Sequence, residues 1–476
     1  MISLNVTQGH SSLFGSWYKS KAFDTELTKA VFPLKITQNI KKYVKQYPNL
    51  SPYTDNVIEL LKNSSISTKK WFNNDLKSES ISQELYHQIC ANFTNLYDLL
   101  EHYNNCDVKP SVEATKKLAD FFKTLNLDIH KDGISISGLT LKYLWMMKEE
   151  NCEFQLFKGN EELYHKFKDN LVGGPSIIFH HYHEQNKTRI REGNLCQKIV
   201  GYDANALYLY DIGQDMLCGN HQVIEPYDNI LTDIKHDSFF GLVECDVEVP
   251  TNLRAYFAEM PPIFKNVEIT YEDVSDETKI QLKTNYKSKK LIGSFFGKKM
   301  LFHTNLLKWY LEKGLVVSNI TYAVRYQRKK PFKTFMEQVA DKRRAGDTNP
   351  NYKLRGDMMK LIGNSSYGKC ITNFLKHEKV KIVSSDKYSK NIRMNGYKSH
   401  EDLYEGFEFR FKKMSFKQRL PIHIGFAVYQ LAKLRMLEFY YDFIDFYIDR
   451  SDFQYCLMDT DSAYLAISGD SLDDIV

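Results

Sequence analysis

The sequence predicts an α+β fold in which helices pack on an antiparallel sheet. Three patterns carry this prediction. The apolar segment from Cys456 to Ala466 has two aspartates in its middle, which is typical of a buried β-hairpin with a polar turn. Apolar residues at helical spacing predict two helices between residues 332 and 368, and further helices between about 80 and 125.

Composition limits the class of protein. The chain has 476 residues, of which 43% are hydrophobic, so two or three domains with their own cores are expected. The formal net charge of +5 is mild, so any nucleic-acid binding must rest on local patches. The 8 cysteines are scattered without a CxxC pair, which favours a reducing compartment over a disulfide scaffold or a zinc ribbon. No apolar run reaches the roughly 18 residues of a membrane span, and no signal-peptide core is present, so an intracellular location without membrane contact is expected.

A histidine cluster occurs early in the chain. It lies in the segment FHHYHE and contains His180, His181 and His183. Two of these could share a strand face, but no further ligands follow at zinc spacing. A surface strand is therefore predicted here, with a metal site as the alternative.

Acidic residues follow apolar strands at two places. Ile199 and Val200 lead to Asp203, and the hairpin presents Asp459 and Asp461 in its turn. Two carboxylates one residue apart supply hard oxygen ligands, which suit Mg²⁺ shared with substrate phosphates. A solvated turn is the alternative for the hairpin, since Asp and Ser are common in turns.

The central helical pair ends in a polar motif. The first helix is predicted to run until Gly346, and the second to begin at about Tyr352 after the turn DTNPN. Lys360 and Asn364 are four residues apart and so share one face of the second helix. Gly368 is predicted to end that helix.

Two basic segments are candidates for contact with phosphates, namely residues 285–299 and 407–419. The second alternates phenylalanines with charged residues, which predicts a strand with one apolar and one charged face. A solvated sheet face explains both segments equally well, because phosphate binding needs only Lys and Arg near the track.

Three segments resemble, in the same order along the chain, the polymerase motifs of family B DNA polymerases, which read DxxSLYP, KxxxNSxYG and YxDTDS. They are the segment with Asp203, the helix with Lys360 and the turn with Asp459 and Asp461. The segment LVGGPSIIF at 171–179 resembles the YxGG segment of the protein-primed branch, which serves viruses, linear plasmids and self-synthesising transposons. This sequence departs from the family patterns at four positions, none of which removes a required charge: Leu171 for Tyr, Ala206 for Ser, Leu209 for Pro and Leu457 for Tyr.

The resemblance implies DNA-directed DNA synthesis by two-metal catalysis. Two Mg²⁺ ions, or Mn²⁺, would be bridged by Asp203 and Asp461 with support from Asp459. The implied nucleotide-binding residues are Tyr208, which would exclude a 2′-hydroxyl, with Arg343, Lys360, Asn364 and Tyr367. For Arg343 and the lysine and arginine beside it, favourable interaction with a helix C-terminus is the alternative. The implied partners are a DNA template and primer, deoxynucleoside triphosphates and a terminal priming protein.

The resemblance also implies a domain order. A truncated RNase H-like exonuclease domain would occupy residues 1–150, the linker and first part of the palm 151–330, two-helix fingers 331–370, and an insertion with the rest of the palm 371–476. The sequence is expected to begin inside the exonuclease domain and to stop before the thumb.

Within the exonuclease region, Tyr103 and Asp107 resemble the YxxxD third exonuclease motif. Asp24 and Glu26 spell a DxE, and residues 95–98 read NLYD, but both lie too close to Asp107 for the resembled domain and are interpreted as coincidences.

Two alternatives to an active polymerase stay open. One is a truncated, non-catalytic remnant that binds DNA or a priming protein. The other is a two-metal nuclease that uses the same aspartates, although a nuclease has no use for the helix that carries Lys360 and Asn364.

Overall fold

The structure is a computed structural model that describes residues 55–66, 69–72, 80–133, 135–403, 406–415 and 417–475. Asp24 and Glu26 lie outside the described residues. The chain divides into two compact units, of which the first draws its described residues from 55–129 and 375–414, and the second from 130–374 and 415–475. In the described part, no helix combines the length and apolar character needed to cross a membrane.

Helices and strands alternate along most of the described chain. The α-helices are α1 Asp55–Lys62, α2 Gln83–Asn92, α3 Leu96–Lys123, α4 Ile136–Met146, α5 Glu161–Asp169, α6 Leu207–Ile212, α7 Ile230–Lys235, α8 Asp276–Lys279, α9 Thr304–Glu312, α10 Lys333–Thr348, α11 Lys353–Ser365, α12 Tyr388–Ile392, α13 Ile422–Glu438 and α14 Asp445–Tyr447. The strands are β1 Ser176–Ile178, β2 Lys198–Asp203, β3 Met216–Ile224, β4 Gly241–Glu248, β5 Ile263–Thr270, β6 Lys287–Ser294, β7 Phe296–His303, β8 Val316–Lys329, β9 Glu378–Val383, β10 Tyr397–Leu403, β11 Gly406–Lys412, β12 Phe453–Asp459 and β13 Ser462–Ile467. A π-helical turn, Phe439–Ile444, joins α13 to α14.

The first unit contains the helices predicted between residues 80 and 125. They are α2 and α3, which are separated by a short break before Asn95. The Asn95 side chain accepts a hydrogen bond of 2.9 Å from the backbone N–H of Asp98, which caps the first turn of α3. The NLYD segment therefore begins α3, with Asn95 as its N-cap.

The first unit also contains a three-stranded antiparallel sheet in the order β10-β11-β9. The predicted alternation is confirmed on β11, where Phe409 and Phe411 are buried while Arg410 and Lys412 are exposed. The apolar face of this strand is thus packed in the interior of the unit, and the charged face is exposed to solvent.

The second unit is built on two four-stranded antiparallel sheets and a two-stranded ribbon. The strand orders are β1-β12-β13-β2, which we call sheet A, and β3-β8-β4-β7, which we call sheet B, while β5 pairs with β6. Residues from both sheets and from α9 and α13 form one core, in which Phe302, Tyr310, Leu437, Tyr455 and Leu465 are almost fully buried. This shared core fixes the sheets and helices of the unit against each other.

The predicted central helical pair is present as α10 and α11. The two helices approach closely because glycines face each other: a Cβ added to Gly346 would lie 2.6 Å from the Cα of Gly356. The prediction that Gly368 ends the second helix is wrong. Helix α11 ends at Ser365, and Gly368 instead starts a short 3₁₀ helix without a left-handed backbone conformation.

The surface strand predicted at the histidine cluster is also wrong. Strand β1 ends at Ile178, because the backbone N–H groups of Phe179 and His180 both donate to the carbonyl oxygen of Cys456, at 2.8 and 3.1 Å. The pairing of β12 shifts at that cysteine, so the regular ladder stops there. The His180 and His183 rings lie 4.4 Å apart in the loop that follows.

Candidate active site

A two-residue hairpin turn presents the paired aspartates. Strand β12 ends at Asp459 and β13 begins at Ser462, so Thr460 and Asp461 form the turn. Thr460 has a left-handed backbone with φ of 61°, and the N–H of Asp461 donates to the carbonyl oxygen of Asp459 at 2.7 Å. The strands behind the turn are mostly buried, as predicted, while the Asp459 side chain is exposed.

Strand β2 brings Asp203 to the same edge of sheet A. Asp203 is directly opposite Ser462 in the β2–β13 pairing, and the Ser462 hydroxyl donates to its carboxylate at 2.9 Å. The N–H of Ala204 also donates to the carbonyl oxygen of Asp461 at 2.7 Å. The three aspartates of the sequence prediction therefore lie together, although Asp203 is distant from the other two along the chain.

The closeness of the three carboxylates affects the pKa of Asp461. The pKa of Asp461 is raised, first by partial burial and then by the negative charges of Asp203 and Asp459. The positive charge of Lys360 acts in the opposite direction and lowers it. The helix α11 thus brings a cation into the field of the carboxylates.

The donor set fits a hard divalent cation. Carboxylate oxygens are the ligands that Mg²⁺ prefers, and mutual repulsion of like charges is what such a cation relieves. Among the described residues, no three side chains have their donor atoms already gathered into a metal shell. The residues that fit an ion are therefore Asp203 and Asp461, with Asp459 beside them.

A glycine of the LVGGPSIIF segment packs against the turn. A Cβ added to Gly174 would lie 2.6 Å from both Oγ1 and Cγ2 of Thr460, and 2.7 Å from the hydroxyl of Tyr208. The carbonyl oxygen of Pro175 accepts a hydrogen bond of 2.7 Å from the N–H of Thr460. A Cβ at Gly173 would meet nothing within 4 Å, so only the second glycine of the pair is required by packing.

Three tyrosines, Tyr208, Tyr367 and Tyr429, form a cluster beside the turn, which we call the tyrosine cluster. The ring centroids of Tyr208 and Tyr367 are 4.8 Å apart, and those of Tyr208 and Tyr429 are 6.0 Å apart. Burial raises the pKa of Tyr208 to about 12, while its polar neighbours Tyr367 and Thr460 act in the opposite direction. The cluster joins α6, the segment after α11, and α13.

Both helices of the central pair pack on α6, the helix that carries Tyr208. A Cβ at Gly363 of α11 would lie 3.2 Å from a methyl carbon of Leu209, and one at Gly213 would lie 2.9 Å from Met336 of α10. Lys360 is exposed and Asn364 is half-buried on α11. The helical pair is therefore held against α6, the helix that follows Asp203 in the chain.

Arg343 of α10 reaches the turn that follows Asp203. Its Nη2 donates to Oδ1 of Asn205 at 3.0 Å. The neighbouring Arg344 instead pairs with Asp341 within the helix, and burial together with the charge of Arg355 lowers the pKa of Lys342. Of these three basic residues, Arg343 is the one that contacts the segment following Asp203.

The exonuclease residues Tyr103 and Asp107 both belong to α3 of the first unit. Their four-residue spacing places them one turn apart on that helix. The side chain of Asp107 lies outside the described part of the structure, so their role stays a prediction.

The basic segment 285–299 spans β6 and the start of β7, and its five lysines are exposed. Lys287 forms an ion pair of 3.0 Å with Glu268, and Lys265 lies 3.7 Å from the centre of the Phe296 ring. The surface is basic and partly paired within itself, which agrees with either of the two interpretations of this segment.

Sequence reasoning missed several residues that shape the site. Thr460, Asn205, Tyr429 and Lys433 act through partners that are remote in sequence. The buried amine of Lys433 donates to the carbonyl oxygens of Val172 and Tyr429, and burial lowers its pKa to about 7. No local pattern identifies such contacts. The one available signal is the DTDS turn itself, since a two-residue hairpin demands a left-handed residue.

Comparison with known proteins gives a limited likeness. No protein-family model matches the sequence, and no curated protein matches it at a significant level. Among solved structures, phi29 DNA polymerase is similar, at 15% identity and a TM-score of 0.44, over 89% of this chain and 60% of that one. Its ternary complex with primer-template DNA and incoming nucleotide has the same identity and TM-score, and the match covers 88% of this chain and 60% of that one. Its post-translocation complex with primer-template DNA is similar at 13% identity and a TM-score of 0.43. The chain thus spans about 60% of the length of phi29 polymerase, a protein-primed family B enzyme. A likeness this weak carries no conclusion about function.

Proposed function

We propose that this protein is a DNA-directed DNA polymerase of family B, of the protein-primed branch, which transfers a deoxynucleotide to a primer 3′-hydroxyl. The observation that carries the proposal is the assembly of Asp203, Asp459 and Asp461 at one edge of sheet A, with Lys360 close enough to lower the pKa of Asp461. Three carboxylates facing one lysine suit the joint binding of metal ions and a triphosphate.

The carboxylates supply the metal-binding side of the chemistry. Two Mg²⁺ ions, or Mn²⁺, held by Asp203 and Asp461 with Asp459 in support, would activate the attacking hydroxyl and stabilise the leaving oxygen. Burial and its acidic neighbours raise the pKa of Asp461, so a bound cation would stabilise the ionised form of this carboxylate. Ser462 holds the Asp203 carboxylate in place by its hydrogen bond.

The central helical pair supplies the nucleotide side. Lys360 meets the triphosphate as a point charge, and Arg343 adds a planar fork of donors from α10. Asn364 and Tyr367 line the pocket, while Tyr208 contacts the sugar and disfavours a 2′-hydroxyl. Support for this arrangement comes from the packing of both helices on α6, which carries Tyr208.

The DNA partners follow from the reaction. A primer and template require a basic track, and the lysines of β6 and the charged face of β11 are the candidates that the sequence offers. A terminal priming protein is proposed as a further partner only because the segment LVGGPSIIF resembles the YxGG segment of protein-primed polymerases.

The two alternatives predict different chemistry. A non-catalytic remnant binds DNA without extending a primer, and a two-metal nuclease shortens DNA. The proximity of Lys360 to Asp461 favours the polymerase, because a triphosphate needs a cation opposite the carboxylates, whereas a nuclease does not.

A primer-extension assay separates the three functions. The protein is given a labelled primer on a template with deoxynucleotides and Mg²⁺, and the proposal expects extension that is lost in Asp461→Asn. Asp470→Asn, an exposed aspartate beyond the end of β13, serves as the matched control and should keep full activity. Absence of extension by the wild-type chain, or shortening of the primer, would overturn the proposal.

A further inference from the structure

We infer that Tyr429 is a positioning residue for sugar selectivity: it holds the ring of Tyr208 in place and so sets how strictly a 2′-hydroxyl is excluded. This inference rests on the proposed polymerase function and extends it to a residue on α13, which carries none of the polymerase motifs.

The first support is the geometry of the tyrosine cluster. Tyr429 meets both other rings edge-to-face, with centroid distances of 6.0 Å to Tyr208 and 5.5 Å to Tyr367, and interplanar angles of 69° and 77°. Edge-to-face contacts within about 7 Å are favourable for aromatic pairs. Each tyrosine therefore contacts both others, and removal of one ring leaves the other two with a single aromatic contact each.

The second support is the way in which Tyr208 is confined. Its hydroxyl side is closed by Thr460 and by the backbone of Gly174, where a Cβ would lie only 2.7 Å from the hydroxyl. Its ring is in contact with the rings of Tyr367 and Tyr429. A selectivity residue acts by steric exclusion only if it cannot move away, and Tyr429 closes one of the directions in which this ring could move.

The third support is the anchoring of Tyr429 itself. Lys433, one helical turn further along α13, is almost fully buried and donates its amine to the carbonyl oxygens of Tyr429 and Val172, the former at 3.2 Å. This ties α13 to the segment that contains Gly174. Tyr429 thus stands on a rigid helix and not on a loop, which suits a supporting residue.

The test is the ratio of catalytic efficiencies with ribonucleotides and deoxynucleotides in primer extension. The ratio is independent of the fraction of active protein, so partial loss of folding does not change it. In Tyr429→Ala, the relative use of ribonucleotides should rise by about ten-fold, the effect expected from losing two aromatic contacts. In Tyr429→Phe it should stay within about two-fold of wild type, because the ring carries the contacts. Tyr447→Ala, an exposed tyrosine outside the tyrosine cluster, is the matched control and should leave the ratio unchanged.

A double-variant comparison completes the test. Tyr208→Ala should raise the relative use of ribonucleotides at least as much as Tyr429→Ala, and adding Tyr429→Ala to it should give no further rise, since Tyr429 acts through Tyr208. If Tyr429→Ala does not fold, Tyr429→Leu, which keeps apolar volume without the ring, carries the same expectation. An unchanged ratio in the alanine or leucine variant, a Tyr429→Phe as permissive as the alanine variant, or a further rise in the double variant would overturn the inference. Absence of any extension by the wild-type chain would overturn the proposed function, and the inference with it.

Discussion

Alanine at Gly174 tests whether the LVGGPSIIF segment controls the geometry of the acidic turn. The added Cβ would lie 2.6 Å from Oγ1 and Cγ2 of Thr460, far inside normal contact distance. Neither neighbour yields easily, because Tyr208 is confined by the tyrosine cluster and Thr460 has a short side chain on a two-residue turn between Asp459 and Asp461. The turn must shift, at a cost of about 1–3 kcal/mol for overpacking. If that strain falls on the transition state, extension slows by roughly 5- to 150-fold.

The measurement is single-turnover primer extension with Gly174→Ala beside Gly173→Ala. The two variants add the same methyl group one residue apart, and a Cβ at Gly173 would meet nothing within 4 Å, so the control should keep wild-type rates. Thr460→Ala should restore part of the rate to Gly174→Ala, because it removes both of the closest atoms. Equal rates for the two glycine variants would refute the argument that this segment holds the turn.

Two further predictions concern single side chains. Lys360→Ala should weaken use of the nucleotide far more than binding of primer-template, because a charge that meets the triphosphate is lost. The acid limb of the pH–rate profile should also move to higher pH, because the charge of Lys360 lowers the pKa of Asp461. Equal losses of nucleotide use and DNA binding would make Lys360 a DNA contact. His423 is fully buried with a pKa lowered to about 3, so the unfolded chain binds a proton below about pH 6.5 that the folded chain does not. The free energy of unfolding should fall by about 2 kcal/mol between pH 7.5 and pH 5 on this account, and His423→Phe should remove that part of the loss in urea titrations at the two pH values. An identical loss in the variant would assign the acid sensitivity to other groups.

Local patterns in the sequence were sufficient for the elements that carry the site. The alternation before and after Asp459 identifies the hairpin, and the helical spacing up to Gly346 identifies the central pair, because each pattern reports which face of one element is buried. The error at the histidine cluster has a physical cause that local patterns do not contain, because the backbone N–H groups of Phe179 and His180 donate to the carbonyl oxygen of Cys456, which is remote in sequence. At Gly368, a glycine after a helical pattern predicts a helix end, but α11 already ends at Ser365.

The partners of the site residues could not be read from the sequence. Tyr429 lies on α13, which is buried on nearly all sides, so its apolar pattern does not mark the tyrosine as special. The pairing of Asn205 with Arg343 and the approach of Gly174 to Thr460 join segments that are far apart in the chain. Contacts of this kind depend on pairings between remote segments, such as that of β1 with β12 beside Gly174, which no single segment encodes.

The pairing of β2 with β13 has a consequence for folding. The two strands are separated by most of the second unit, so closing sheet A requires a long and entropically costly loop. Until it closes, Asp203 remains apart from Asp459 and Asp461, and the cluster of three aspartates is not assembled. A cation that binds only the closed sheet would favour the folded chain by mass action. The yield of refolded protein should therefore depend on the concentration of divalent cation present during folding.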